Sequence, residues 1–599
     1  MDAKIWLEHY DEEVPHTLHP YPKGTLLDVV SETAKRRPAH PALLFKGAQI
    51  SYAELERLSD AFAAALVALG VKKGDRVALL LPNCPQFVIG QLGAWKAGAV
   101  VVPVNPLYTE SELLHILADC GADTVLTLTP FYAKIKAVQP HTSVRLVIAT
   151  NIKEYLPLHL RVLFSAFKEK KEGHRITLKP EDLWLSHLLR TYAQGPQPDV
   201  PVGPNDPALF LYTGGTTGTP KAAVGTHQAL LMTARQLRTW FGELLNDWED
   251  VAMANMPFFH AYGNLGTLVA GLLGRNPLAL VPNPRDLDDL LDTIGKVRPA
   301  LLPGVPTLFI ALLHHPRVRA GQVDFKSIKL CFSAAAPLMA ETKHRFEALT
   351  GGRIVEGYAL TESMVAAVIS PVHGAHKRGS VGMPLPDVEV CIVDAEDGHK
   401  VLRPGQVGEI VMRAPQLMQG YWGRPAETAE MIREGPWPGS GERWLYTGDL
   451  GIMDEDGYLF IVDRKKDLIK PSGFQVWPRE VEEVIASHPA VAEVGVAGVP
   501  DRVRGEAVKA WVVLRDGQQV TPSEIRAYCR ARLIDYKVPR CVEFRDSLPK
   551  TIVGKVLRRE LVREEVSGHG SPPSIRPQGE KRTAYQPPFV APVPDPAVG

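Results

Sequence analysis

The segment Leu211-Tyr212-Thr213-Gly214-Gly215-Thr216-Thr217-Gly218-Thr219-Pro220-Lys221 gathers glycines, hydroxyls and one lysine after the apolar run Ala208–Leu211. Glycine lets backbone N–H groups turn toward a bound anion, and threonine hydroxyls add donors. Lys221 supplies a compact positive charge. These are the parts of a polyphosphate cradle. The Walker loop differs, because it ends in Gly-Lys-Ser/Thr. Here Lys221 follows Pro220, which argues against a P-loop nucleoside triphosphatase. Taken alone, the run also fits a flexible surface loop. The downstream residues decide between the two.

Further motifs come in order: Pro257-Phe258-Phe259-His260, Ser333-Ala334-Ala335-Ala336-Pro337-Leu338, Gly357-Tyr358-Ala359-Leu360-Thr361-Glu362-Ser363, Tyr446-Thr447-Gly448-Asp449, Asp463-Arg464-Lys465-Lys466-Asp467 and Pro549-Lys550-Thr551-Ile552-Val553-Gly554-Lys555. With the glycine–threonine loop, this ordered set resembles the adenylate-forming superfamily of acyl-CoA synthetases, peptide-synthetase adenylation domains and beetle luciferases. The resemblance runs from about Leu26 to about Leu561. The family often has glycine where Ala222 and Ala334 stand, so each position is expected to add a methyl at a backbone turn.

The resemblance implies two half-reactions. A carboxylate attacks the α-phosphorus of ATP and expels pyrophosphate, then a thiol attacks the acyl carbon and AMP leaves. Neither step needs a nucleophilic side chain, so positioning and charge neutralisation carry the work. It implies that Thr213, Thr216, Thr217 and Lys221 hold the β- and γ-phosphates. Ala335, Gly357, Tyr358 and Thr361 would surround the nucleotide, with the Tyr358 ring facing adenine. Glu362 is the expected Mg²⁺ ligand, because Mg²⁺ is satisfied by one carboxylate, phosphate oxygens and water. Asp449, read as ending a strand, can accept both ribose hydroxyl protons, with Arg464 beside it. Lys555 is the expected catalytic lysine, a cation between attacking carboxylate and leaving phosphate. Lys466 matches the family's hinge, about which a small domain rotates. Lys470, Gly473 and Phe474 would then line the approach of the CoA thiol. His260 stands where relatives place an aromatic gate beside the acyl carbon. Ala261 follows, where amino-acid-activating relatives put an aspartate, which argues against an amino-acid substrate.

The elements that must position these groups are those of an α/β protein. A chain of 599 residues exceeds one core. Residues 51–70 place Leu55, Leu58, Phe62, Leu66 and Leu69 on one helical face. Val77–Leu81 reads as a buried strand, a helix with Phe87, Ile89 and Leu92 follows, and Val100–Val104 is a strand again. This rhythm predicts parallel sheets covered by helices and recurs at Leu278–Val281, Leu330–Phe332 and Ile354–Val355. From Val388 to Ile461 strands dominate, with turns at Asp397-Gly398, Pro404-Gly405 and Asp456-Gly457, a β-rich subdomain. The expected organisation is an N-terminal adenylation domain over 1–463, a mobile α+β domain over 464–566 and a disordered Pro/Gly-rich tail over 567–599.

Lys plus Arg and Asp plus Glu both number 67, so no net field attracts nucleic acid. The six cysteines are scattered and are expected to be buried thiols of a reducing compartment. The N-terminus lacks an apolar signal core, so a cytoplasmic enzyme is expected. Homodimer formation is left open.

Which acid is activated is less legible. Gly263, Gly266, Gly271 and Gly304 flank candidate acyl-pocket segments, and an apolar pocket discriminates each methylene by only ~1–3 kcal/mol. The stretch Tyr155–Phe164, Phe167 and the charged run Lys168–Glu172 read as a basic amphipathic helix. It fits a lipid-surface contact, though the segment by itself fits an ordinary surface helix packed by its apolar face slightly better. This stretch and Trp6–Tyr10 are similar to segments of bacterial long-chain fatty-acyl-CoA synthetases. The expectation is therefore a ligase using long-chain fatty acid, ATP, Mg²⁺ and CoA. A ligase for medium-chain or aromatic acids, a luciferase-like oxygenase and an inactive lipid-binding relative are the alternatives.

Overall fold

The computed structural model describes residues 4–195, 198–213, 220–365, 367–437, 439–474, 476–501, 504–551 and 554–566. Thr216, Thr217 and the tail expected over 567–599 lie outside the described residues.

Two large helix-covered sheets form the body. In one, the strands run in the order Leu183–Trp184, Leu146–Thr150, Thr124–Leu128, Arg76–Leu80, Val100–Pro103, Pro207–Thr213, Lys221–Thr226. All are parallel up to the final hairpin, whose two strands are antiparallel. The helix Pro85–Lys96 joins two of them and is buried at every position, so this crossover lies inside the molecule. Helix Tyr52–Ala68 starts where the Ser51 hydroxyl accepts the Glu54 N–H, a side-chain cap. Its inward face carries Leu55, Leu58, Phe62 and Leu66.

The second large sheet places Ala252–Ala254, Leu301–Gly304, Leu330–Ser333 and Arg353–Tyr358 side by side and parallel. The segments after three of these strands contain His260, Ala335 and Glu362. Parallel neighbours send such loops out at the same carboxyl edge, the usual place for a ligand cleft in an α/β sheet.

A third sheet contains Glu389–Val393, Gly408–Arg413, Ile432–Glu434, Arg443–Met453 and Leu459–Arg464. Its turns use left-handed Gly398, Gly405 and Gly457, as the sequence predicts. After Arg464, a three-stranded sheet (Val491–Asp501, Gly505–Leu514, Cys541–Phe544) packs against helices Pro478–Ala486 and Pro522–Arg530. Its core of Ile469, Val481, Ile485, Val496, Val508 and Ile525 is separate from that of the body, which makes a small α+β domain.

Three expectations need correction. Cys541 is exposed and Cys391 half-buried, because both lie on strands with a face turned toward solvent. Ala222 lies inside the strand Lys221–Thr226 and not at a turn, and the left-handed residue is Ala335 (φ 73°), not Ala334. The helix Leu158–Leu163, continued by a wider turn over Phe164–Lys168, buries only Phe164. Leu158 and Phe167 are 77% and 74% exposed, so the helix is not packed by its apolar face. Among the described residues, no helix is long and apolar enough to cross a membrane.

Candidate active site

Antiparallel pairing sets Thr213 opposite Lys221, at the mouth of the hairpin that carries the glycine–threonine loop. A second segment zips onto the same strand: Gln419 N–H donates to Val224 O (2.9 Å), Val224 N–H to Gly420 O (3.0 Å) and Trp422 N–H to Ala222 O (2.9 Å). This brings the Tyr421 ring under Lys221, whose Nζ stands 5.2 Å from the ring centroid.

Gly357 must be glycine, because a Cβ there would sit 2.6 Å from the Phe332 ring. The turn after it folds tightly, with the Ser363 and Val365 N–H groups both donating to Leu360 O. Met364 and Val365 follow in the left-handed region (φ 51° and 79°). For a β-branched residue that conformation is strained and persists only where its surroundings enforce it. Here the Thr233 hydroxyl holds Met364 O at 2.7 Å. Thr361 is half-buried at the head of this turn. Glu362 is 9% exposed and accepts the Tyr421 hydroxyl at 2.6 Å. Among the described residues it has no ion-pair partner. A buried carboxylate without a cation fits a metal ligand, since such a charge needs compensation. No cluster of three or more His, Cys, Asp or Glu that could hold a metal exists among the described residues. That donor set suits Mg²⁺ shared with phosphate, not a protein cage.

Asp449 lies in the middle of the strand Arg443–Met453, which corrects its expected place at a strand end. The pairing slips between Glu409↔Leu450 and Val411↔Tyr446, so Thr447 to Asp449 bulge out around left-handed Gly448 (φ 69°). A bulge re-aims a side chain without ending the sheet. Asp449 Oδ2 accepts the Tyr358 hydroxyl at 2.7 Å, and Oδ1 stands 3.3 Å from Arg464 Nε on the paired strand. Burial pushes the Asp449 carboxyl up, against the pull of Arg464, Tyr358 and Lys555. Burial and Asp449 likewise push the Tyr358 hydroxyl well up, so it stays a donor.

Lys555, on the small domain, lies within electrostatic influence of Asp449 and Arg464. Burial lowers its pKa to about 8, reinforced by Arg464 and Arg558 and opposed by Asp449 and Asp467. Its loop closes with Thr551 N–H donating to Lys555 O (2.8 Å). Left-handed Gly554 lies flat against the body: a Cβ there would stand 2.8 Å from Thr307 Oγ1. Arg558 ties the loop's far end to Asp463 and Asp467 (3.0 Å each) and to Glu482 (2.7 Å).

His260 ends a loop held by neutral amides. Asn83 accepts the Phe258 N–H and donates to Ala254 O and Met256 O, each at 2.8 Å. Asn264 donates to Phe258 O and to Gln91. Burial lowers the His260 pKa to about 4, so the ring is neutral at physiological pH. Its Nδ1 accepts the Tyr262 N–H (3.2 Å), which leaves the ring proton on Nε2.

Lys466 sits in a short turn, Lys465–Asp467, directly after the strand Leu459–Arg464. Lys470, Gly473 and Phe474 are not brought to Asp449 by any described contact. Lys470 N–H donates to Glu506 (2.6 Å), and the exposed Phe474 ring stacks on Tyr536 at 4.7 Å.

A family model described as AMP-binding enzyme matches residues 30–422, and one described as AMP-binding enzyme C-terminal domain matches 480–555. The chain belongs to the AMP-binding enzyme family. It is 39% identical to a long-chain-fatty-acid–CoA ligase of Bacillus subtilis, covering 94% of this chain and 99% of that one. It is also 39% identical to the enzyme of that name from Escherichia coli O157:H7, with the same coverage. Among solved structures, it superposes on an anthranilate CoA ligase in complex with anthranoyl-AMP with a TM-score of 0.77 at 25% identity, covering 91% and 98% of the two chains.

Sequence reasoning missed the residues of this AMP-binding enzyme that hold the site without belonging to a motif. Asn83, Gln91 and Asn264 were findable as amides in otherwise apolar runs, since a buried amide must be bonded. The strain at Met364 and Val365 and the contact of Tyr421 with Glu362 leave no signal in a single sequence.

Proposed function

We propose that this chain joins long-chain fatty acids to coenzyme A, with ATP cleaved to AMP and pyrophosphate through an acyl-adenylate. The acid–thiol ligase activity and the fatty-acid class rest on the full-length relatives. The joining of Tyr358, Asp449 and Arg464, with the Gly554-Lys555 loop seated against Thr307 of the body, is the observation that carries the adenylation step. In this reading residues 1–463 form the nucleotide- and acyl-binding body and 464–566 the rotating domain.

The glycine–threonine hairpin, with Thr213, Thr216, Thr217 and Lys221, grips the β- and γ-phosphates. Ala335, Gly357, Tyr358 and Thr361 border the nucleotide, and Asp449 takes the ribose hydroxyls beside Arg464. Glu362 and phosphate oxygens would hold Mg²⁺, which when bound neutralises phosphate charge. The Lys555 ammonium lies where negative charge develops as the fatty carboxylate attacks, which is where a fixed cation lowers the barrier. Neutral His260 borders the acyl carbon. Rotation about Lys466 then withdraws Lys555 and presents Lys470, Gly473 and Phe474 to the thiol. The exposed Leu158, Val162, Leu163 and Phe167 beside Lys168, Lys170 and Lys171 support peripheral contact with a lipid surface.

The test offers purified protein a series of carboxylic acids with Mg·ATP, with and without CoA, while pyrophosphate and AMP are measured. Pyrophosphate release should need acid, turnover should need CoA, and activity should peak above about twelve carbons. A peak at aromatic acids would replace the fatty-acid reading with a second one, which the anthranilate ligase likeness favours. No acid-dependent pyrophosphate release at all would end the adenylation reading.

A further inference from the structure

Tyr421 belongs to none of the sequence motifs, yet it touches two groups assigned to the nucleotide. Its hydroxyl donates to Glu362 Oε1 at 2.6 Å in a buried bond, and its ring face lies under Lys221 Nζ. Its own position is fixed from three sides. The backbone pairs with Ala223, the Tyr421 N–H donates to Thr428 Oγ1 (2.8 Å), and Met418 N–H in the same segment donates to Glu362 O (2.9 Å). Gly420 makes this fit possible, because a Cβ there would stand 2.6 Å from the Thr428 methyl.

We propose that Tyr421 is a positioning residue: its hydroxyl occupies one Glu362 oxygen and turns the other toward the metal, while its ring seats Lys221 for the phosphates. The proposal rests on Glu362 being the metal carboxylate and Lys221 a phosphate ligand. A carboxylate with one oxygen already accepting a strong hydrogen bond has a fixed plane and one oxygen left to ligate. Partners that orient a ligand in this way tune metal affinity by roughly 10- to 100-fold. The ring acts separately, since a cation over a tyrosine face is attracted whether or not the hydroxyl is present.

The two contacts can be taken apart. Tyr421→Phe removes the hydroxyl and keeps the ring, and Tyr421→Leu removes both. Binding of Mn²⁺ in the presence of ATP is read from the electron paramagnetic resonance of free Mn²⁺. Binding of ATP alone is read in EDTA by calorimetry. Y421F should weaken Mn²⁺ binding roughly 10-fold and leave metal-free ATP binding unchanged, while Y421L should weaken both. Y421F combined with Glu362→Gln should bind Mn²⁺ no worse than E362Q alone, because the hydroxyl acts only through that carboxylate.

Unchanged Mn²⁺ affinity in Y421F, with E362Q weakened, overturns the positioning role. Equal loss of metal-free and metal-loaded ATP binding in Y421F also overturns it, since that marks a general packing defect. Additive losses in the double variant do the same. If E362Q itself binds Mn²⁺ normally, the metal assignment beneath the proposal fails first.

Discussion

Two loops flank the cleft, and they are held by opposite means. The Pro257–His260 loop hangs on Asn83 and Asn264, neutral amides sealed inside the body. The Lys555 loop hangs on charges, Arg558 with Asp463, Asp467 and Glu482, and Lys550 with Glu493. Buried neutral bonds have no water to exchange with, so breaking one strands a desolvated group. Of these pairs Arg558–Asp463 crosses the proposed domain boundary, and an ion pair there can trade partners with water and ions as it parts. The loop that keeps one position is built from the first kind of contact. The loop that the proposed domain rotation must carry away is built from the second.

The largest effect expected from this contrast is on chemistry. Lys555→Ala should cut acid-dependent pyrophosphate exchange by about 10²–10³-fold, the scale for losing one preorganised charge at the reacting centre. An unchanged exchange rate would remove Lys555 from the reaction. The same lysine sets a pH limb. Its pKa of about 8 means the ammonium is lost as pH rises through that value, so kcat/KM for adenylation should fall above about pH 8. Lys555→Arg, whose guanidinium stays charged, should remove the limb even if it is slow. On the other loop, Asn83→Ala leaves the Phe258 N–H and the Met256 carbonyl buried without their partner, while Ala254 O keeps the Val281 N–H. It should cost about 3 kcal/mol in denaturant unfolding, equally at low and high salt. Loss that fades with salt would break the contrast. The smallest effect belongs to Lys550→Ala, which removes a partly exposed pair and should cost below about 1 kcal/mol, vanishing at high salt.

Much of the frame is legible in the sequence because it rests on local rules. Short continuous apolar runs place the strands around Val77, Val100 and Leu330, and the glycines at 398, 405 and 457 mark real turns. The motif residues Tyr358, Asp449 and Arg464 meet although long stretches of chain separate them, and Lys555 comes within their electrostatic influence from across the domain boundary. A sequence can name such groups but cannot show what supports them. Asp449 is aimed by a slip in strand register, a property of two strands and not of one. Cys541 breaks the buried-thiol expectation because its strand exposes one face. The helix at Leu158–Leu163 turns its leucine and valine outward, where periodicity alone predicts an apolar stripe but not the side it faces.

Gly554 has a consequence for how the two parts meet. The approach of the lysine loop to Thr307 is as close as bare backbone permits, with no room for a side chain between them. A single methyl at that spot would act as a doorstop. The two parts would still fold and the charges would still attract, but the ammonium would halt about an ångström short of its seat. For a reaction governed by placement, a shortfall of that size is enough to slow turnover by roughly a hundredfold.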